Sequence, residues 1–149
     1  MGERYDPDDR MRQYAVGTPP VVQLALVDEG VALVEAARIA AIDAKRALLT
    51  AFAIECIDAS MPGAAIVTPR AAERRGGHVS IEHPEASRLA RAGRDRGVVA
   101  DFRPPNRLRL GFAPLSTSFG DVARAVAIYA RLLEPGALDS YPSDPGRIT

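Results

Sequence analysis

Lysine is almost absent from this chain. Lys45 is the only one, so 18 of the 19 basic residues are arginines. Arginine is suited to two-pronged pairing with carboxylates, whereas Schiff-base chemistry needs a lysine amine. A GC-rich genome would produce the same bias, so composition alone assigns no role to the arginines.

Cysteine is equally scarce, because Cys56 is the only one. An internal disulfide is therefore excluded, and with it a disulfide-dense secreted scaffold. The 19 basic and 19 acidic residues balance, which argues against bulk attraction to nucleic acid or anionic lipid. No segment has the profile of a membrane span, and the polar start MGERYDPDDRMRQ does not resemble a secretory signal. We expect a cytoplasmic protein that binds neither nucleic acid nor membrane.

The 149 residues are 47% hydrophobic and 26% charged, which suits one globular domain with its own core. Residues 1–16 lack periodicity and are predicted to form an extended lead-in. In GTPP, Thr18 is the expected N-cap of a helix with Pro19 at its first position. Gly30 predicts a break or C-cap. Residues 135–149 are rich in Pro, Gly, Ser and Asp and predict a flexible tail.

Between these ends the hydrophobic period changes. A long helix is predicted over 31–60, ended by Met-Pro-Gly, with one apolar face formed by Ile39, Ile42, Leu49, Phe52 and Cys56. AAIVTP and GGHVSIEH then predict strands, and residues 84–97 predict a helix. VVADF and RLRLGF predict two strands joined by a turn at 104–106. A last helix begins at Ser118 with a capping box and has an apolar stripe of Val122, Val126, Tyr129 and Leu133. The fold class is α+β, with N-terminal helices before a small β-β-α-β-β-α layer.

The two histidines do not predict a metal site. On a strand, His78 and Glu82 share one face while His83 points to the other, so the ligands would not converge. The arginines between Arg88 and Arg109 are interleaved with acidic residues and lack an aromatic RNA-binding motif. A solvated helix face accounts for those at 88, 91 and 94.

Two features remain as candidate binding sites. In RLRLGFAPL, Arg109 shares a strand face with Gly111, and the missing side chain of Gly111 leaves room beside the guanidinium. A charge in a buried strand needs a partner, which is either a protein carboxylate or a ligand, and the pattern does not decide between them. In GTPP, the Thr18 hydroxyl at a helix N-terminus is either a phosphate or carboxylate contact or an ordinary cap.

Three segments resemble the C-terminal part of the kynureninase family: GTPPVVQLALVDEGVALV, TPRAAERRGGHVSIEHPEA and RGVVADFRPPNRLRLGFAPLSTSFGDVARAV. The resemblance runs from Tyr14 to Leu133 and is most specific over 96–119. These enzymes are pyridoxal-phosphate hydrolases of the aminotransferase class V superfamily. The resemblance implies that residues 17–134 form a domain like the C-terminal small domain of fold-type I enzymes.

The same resemblance implies a reaction and roles for three residues. Kynureninases cleave L-kynurenine, or its 3-hydroxy form, to anthranilate (or 3-hydroxyanthranilate) and L-alanine in tryptophan degradation. By resemblance, Arg109 pairs with the substrate α-carboxylate. Thr18, and more weakly Gly17, contacts the cofactor phosphate and the substrate of a neighbouring subunit in a dimer.

The family's lysine-bearing large domain has no counterpart in this sequence, and Lys45 matches a structural helix. The chain alone is therefore expected to be inactive, to need a large domain or homologous subunit, and to expose an apolar patch on its first helices that favours self-association. The alternatives are a non-catalytic partner or remnant domain and, third, a small-molecule sensor that uses Arg109.

Overall fold

The computed structural model describes residues 10–14 and 17–143. The chain divides into two compact units, Met1–Ile39 and Ala40–Thr149. In the first unit, a 3₁₀ turn at Met11–Tyr14 precedes helix α1, Val21–Ala37. Residues 1–9, 15 and 16 of the predicted lead-in lie outside the described part of the chain.

The predicted start of α1 is wrong by two residues. The helix begins at Val21 with Pro20 as its N-cap residue, and no side chain caps this end. Thr18 and Pro19 each precede a proline, and the residue before a proline is disfavoured in the helical region. The helix therefore begins only after the last proline of GTPP.

Gly30 does not end the helix, so that prediction is also wrong. Good helix formers follow the glycine, and α1 continues through it to Ala37. The break falls at Arg38, which has a positive φ of 61°. Helix α2 then spans Ile39–Ser60, and the predicted stop at Met-Pro-Gly is confirmed.

The second unit confirms the predicted β-β-α-β-β-α order. After α2 come β1 (Ala65–Ile66), β2 (His78–Glu82), α3 (Ala86–Asp95), β3 (Asp101–Arg103), β4 (Arg107–Gly111) and α4 (Phe119–Leu132). The four strands form one antiparallel sheet in the order β1-β2-β4-β3. The α+β class expected from the sequence is confirmed.

Each central strand alternates between a buried and a more accessible face. On β2 and β4 the buried side chains are Val79, Ile81, Leu108 and Leu110. They share one hydrophobic core with residues of all three helices of this unit, among them Leu49 of α2, Leu89 of α3 and Tyr129 of α4. The opposite face of the sheet carries polar and charged residues. We call it the open face; its strand residues include Ser80, Glu82, Asp101, Arg103, Arg107 and Arg109.

The predicted apolar face of α2 is correct only in part. Its buried residues are Leu49, Thr50, Ala53, Ile54 and Ile57. Phe52 and Cys56 are half-buried at the edge of this stripe, and Ile39 is exposed. Periodicity identified a helix, but packing on the sheet determined which side is buried.

Helix α4 has the predicted capping box. The backbone N–H of Asp121 donates to Ser118 Oγ at 3.1 Å, and the N–H of Ser118 donates to Asp121 Oδ2 at 2.8 Å. Val122, Val126 and Tyr129 are buried as expected. Leu132 rather than the predicted Leu133 completes the buried stripe.

The segment after α4 contacts α3. Arg88 Nε donates to the carbonyl of Tyr141 at 2.9 Å, and the same guanidinium donates to the carbonyl of Leu138, whose side chain is buried. Residues 135–143, part of the predicted flexible tail, thus contribute a buried side chain and hydrogen-bonding carbonyls to this contact. Residues 144–149 lie outside the described part.

Candidate functional site

Arg109 lies in the middle of β4, on the open face. Because β4 is flanked by β2 and β3, its backbone is held on both sides, with Ser80 and Asp101 as the paired residues. The side chain is 37% exposed, and its Nη2 donates to Oδ2 of Asp101. The partner that the strand pattern demanded is therefore, in this structure, a carboxylate of the protein itself.

The Asp101 carboxylate pairs with two arginines. Its Oδ2 also accepts a hydrogen bond from Arg103 Nε at 2.8 Å. Burial raises the pKa of the Asp101 carboxyl, but the hydrogen bonds and charges of Arg103 and then Arg109 outweigh this and lower it below its usual value. Asp101 is therefore ionised at neutral pH.

The remaining charges of the open face are paired separately. Arg107 Nε donates to Glu82 Oε1 at 2.9 Å, and the two residues are direct cross-strand neighbours. Counted over the strand residues described, the face carries three guanidinium groups and two carboxylates. One guanidinium is thus in excess.

The Arg109 guanidinium has spare donors, and the next residue on its strand face, Gly111, has no side chain. It carries five N–H groups, and its hydrogen bond to Asp101 is the only one found for it within residues 10–14 and 17–143. A Cβ added at Gly111, two residues along the same face, would meet no heavy atom within 4 Å. The position of a side chain at Gly111 is therefore open.

A cavity of about 490 Å³ lies beyond the end of β4, between the loop before β3 and the start of α4. Gly111 and Phe112 line it, but Arg109 does not. Two of its charged lining residues, Asp121 and Arg124, bond to each other. The cavity therefore adds space next to the open face but is not itself a site around Arg109.

Gly17 and Thr18 belong to the first unit, and both are exposed. Thr18 does not cap α1, and the two prolines that follow have no N–H to offer a ligand. The nearby polar groups are the Thr18 hydroxyl, the N–H groups of Gly17 and Thr18, and the first N–H groups of α1.

The single lysine has a structural partner that sequence reasoning missed. Lys45 Nζ donates to the carbonyl of Pro114 at 2.6 Å, in the loop that follows β4. The next residue, Arg46, donates to the carbonyl of Arg75 at 2.8 Å. Neighbouring residues of α2 thus tie two loops of the second unit in place.

The two histidines flank β2: His78 is its first residue, and His83 follows its last. His83 Nδ1 accepts the N–H of Glu85 at 3.1 Å, and burial lowers the pKa of His83 although the charge of Glu85 opposes this. In the part of the chain that the structure describes, no group of three His, Cys, Asp or Glu side chains is placed to hold a metal ion. No helix of the described residues is long and apolar enough to cross a membrane.

Comparison with known proteins identifies the family. Residues 42–129 match the family model of the kynureninase C-terminal domain. This chain belongs to the kynureninase family. The matched range lies within the second unit and includes Arg109, Asp101 and Lys45.

Similar proteins share the name kynureninase. The kynureninase of Pseudomonas fluorescens is 38% identical over 136 residues, which cover 90% of this chain and 33% of that protein. Kynureninases of Burkholderia mallei (strain SAVP1) and Burkholderia pseudomallei (strain K96243) are 34% identical over 139 residues, again 33% of their length. The chain thus spans about a third of the curated relatives it matches.

Kynureninases generally depend on pyridoxal phosphate, which a lysine amine holds covalently. The only lysine here, Lys45, uses its amine to bind the Pro114 carbonyl. Gly17 and Thr18 themselves offer one hydroxyl and two backbone N–H groups. These residues therefore do not form a complete site for the cofactor.

Proposed function

We propose that this chain is the C-terminal part of a kynureninase and supplies Arg109 as the residue that binds the substrate α-carboxylate. The complete enzyme would hydrolyse L-kynurenine, or its 3-hydroxy form, to anthranilate (or 3-hydroxyanthranilate) and L-alanine. The observation that carries the proposal is the Arg109 guanidinium on the open face, with four N–H groups unused by the described residues and free space at Gly111.

Arg109 would act by orientation. A guanidinium binds a carboxylate through two parallel, charge-assisted hydrogen bonds, which fix both distance and plane. Because β4 is hydrogen-bonded on both sides, the base of the Arg109 side chain is held in a fixed place. Positioning of this kind contributes strongly to rate, and a misplacement of about 1 Å can cost about 100-fold.

The other parts of the active site would come from outside this chain. We assign Thr18, and more weakly Gly17, to contacts with the cofactor phosphate in a neighbouring subunit, in the cytoplasm. The lysine that holds the cofactor would belong to a large domain. The chain alone is then inactive, because Lys45 is engaged elsewhere and no other lysine is present.

Helix α1 provides the surface for such a partner. It has no buried residue, and its exposed large aliphatic side chains are Val21, Val22, Leu24, Leu26, Val27, Val31 and Leu33. Contiguous exposed apolar surface marks interaction sites. We propose that α1 packs on a large domain or on a homologous subunit. Alone, the chain should then self-associate; a clean monomer in sedimentation velocity would contradict this.

Reconstitution tests the catalytic role. The chain is co-expressed with the part of the Pseudomonas fluorescens kynureninase that it does not cover, and anthranilate release from L-kynurenine is measured with added cofactor. Arg109→Gln should lower kcat/KM by about 100-fold. Arg107→Gln is the matched control, since Arg107 lies on the same strand and face but pairs with Glu82.

Three outcomes would count against the proposal. Anthranilate release by the chain alone would refute its predicted inactivity. Equal effects of the two substitutions would remove the special role of Arg109. A stable but inactive reconstituted complex would favour the second candidate, a non-catalytic partner domain, which the exposed aliphatic surface of α1 equally supports.

A further inference from the structure

A single carboxylate oxygen on the open face is shared by two cations. Oδ2 of Asp101 accepts from Arg103 Nε at 2.8 Å and from Nη2 of Arg109. Arg103 is two residues along the same strand, and Arg109 is directly opposite on β4. Arg103 therefore contacts Asp101 independently of where the Arg109 side chain points.

The charges on the strand residues of the open face do not balance. Glu82 neutralises Arg107 through its own ion pair. The one remaining carboxylate, Asp101, stands against both Arg103 and Arg109. The described strand residues of the face are thus one anion short, and the open position at Gly111 lies two residues from Arg109 on the same face.

We propose that Asp101 is an internal substitute for the ligand carboxylate, and that Arg103 retains Asp101 when a ligand binds Arg109. This inference rests on the proposed carboxylate-binding role of Arg109. An incoming carboxylate bonds to the unused N–H groups of Arg109 and repels Asp101. Because Arg103 already binds Asp101, the displaced carboxylate keeps a cationic partner, and no charge is left unpaired.

The proposal predicts opposite effects for two substitutions. Asp101→Asn removes the competing negative charge, so a carboxylate should bind Arg109 about two- to fivefold more tightly, the range expected for a partly exposed ion pair. Arg103→Gln leaves Asp101 with Arg109 alone, so the same carboxylate should bind about two- to fivefold more weakly. A purely structural role for Asp101 would not make binding tighter.

The experiment uses this chain labelled with ¹⁵N. L-Kynurenine and acetate are titrated separately while the Arg109 Nε–H signal is followed by NMR, and acetamide serves as the uncharged analogue of acetate. Glu82→Gln is the matched control variant: it removes one negative charge from the same face, but at a residue bonded to Arg107. Thermal melts establish that each variant is folded.

The outcomes separate the inference from the proposed function. The inference is supported if Asp101→Asn tightens and Arg103→Gln weakens carboxylate binding, with Glu82→Gln close to wild type and acetamide inert. It is overturned if carboxylates bind Arg109 equally in all variants, an outcome that leaves the proposed function intact. If no carboxylate shifts the Arg109 signal in any variant, the proposed role of Arg109 fails, and the inference fails with it.

Discussion

Substituting Gly93 by alanine sets two known effects against each other. In a helix interior, alanine is favoured over glycine by about 1 kcal/mol. Here, however, a Cβ on Gly93 would lie 2.5 Å from Tyr129 Oη and 2.8 Å from two ring carbons of Tyr129. That ring is fully buried, so it cannot swing into solvent to make room. Forcing a methyl group into a packed core costs about 1–3 kcal/mol. A contact of 2.5 Å is a severe overlap, so we expect a cost in the upper part of this range, about 2–3 kcal/mol, and hence a net loss of about 1–2 kcal/mol in the free energy of unfolding of Gly93→Ala.

Urea unfolding followed by circular dichroism measures this change. Gly120→Ala in α4 is the control, because its Cβ would approach only the end of Arg124, at 3.3 Å, and Ser118 Oγ, at 3.6 Å. That variant should be close to wild type or slightly more stable. In the double variant Gly93→Ala/Tyr129→Leu, the smaller side chain at 129 leaves room for the added methyl group. Gly93→Ala should therefore lower the free energy of unfolding less beside leucine than beside tyrosine. A Gly93→Ala protein as stable as wild type would refute the close packing of α3 on Tyr129.

Three further predictions concern titrating groups. Ser118→Ala should lower stability by about 1 kcal/mol through loss of the cap. It should also raise the pKa of Asp121, which hydrogen bonds from Ser118 hold below its usual value; an unchanged carboxyl titration by NMR would contradict this. Because burial lowers the pKa of His83 despite the charge of Glu85, the stability from its neutral form is complete above about pH 6.5 and falls as pH drops through the lower folded pKa. His83→Gln should remove this loss of stability below about pH 6.5. If the variant loses stability over the same pH range as wild type, another group is responsible. Burial raises the pKa of Tyr129 to about 12, so phenolate absorbance should show this tyrosine ionising only near that pH, and Tyr129→Phe should remove that step alone.

The partner of Arg109 could have been predicted from the local sequence. The predicted turn at 104–106 places residues equally distant from Pro105 opposite each other, which pairs Asp101 with Arg109. The hairpin itself was predicted, and this symmetry was the signal that could have found Asp101. Strand alternation alone could not, because it assigns a face but no partner.

The contact of Lys45 had no comparable signal. Lys45 and Pro114 are 69 residues apart in the chain. A lysine side chain long enough to reach many carbonyls gives no indication, in sequence, of which one it binds. The start of α1 did have a signal, since two consecutive prolines disfavour a helix before them.

The sequence by itself determined the order of helices and strands in the second unit and the capping box at Ser118, because these depend on neighbouring residues. It also determined the family, because the segments that resemble it keep their order and spacing along most of the chain. Only the tertiary structure decided which carbonyl Lys45 binds and which side of α2 is buried. Those outcomes depend on distances between segments remote in the chain. Such distances are set by packing of the whole core, and no local pattern encodes them.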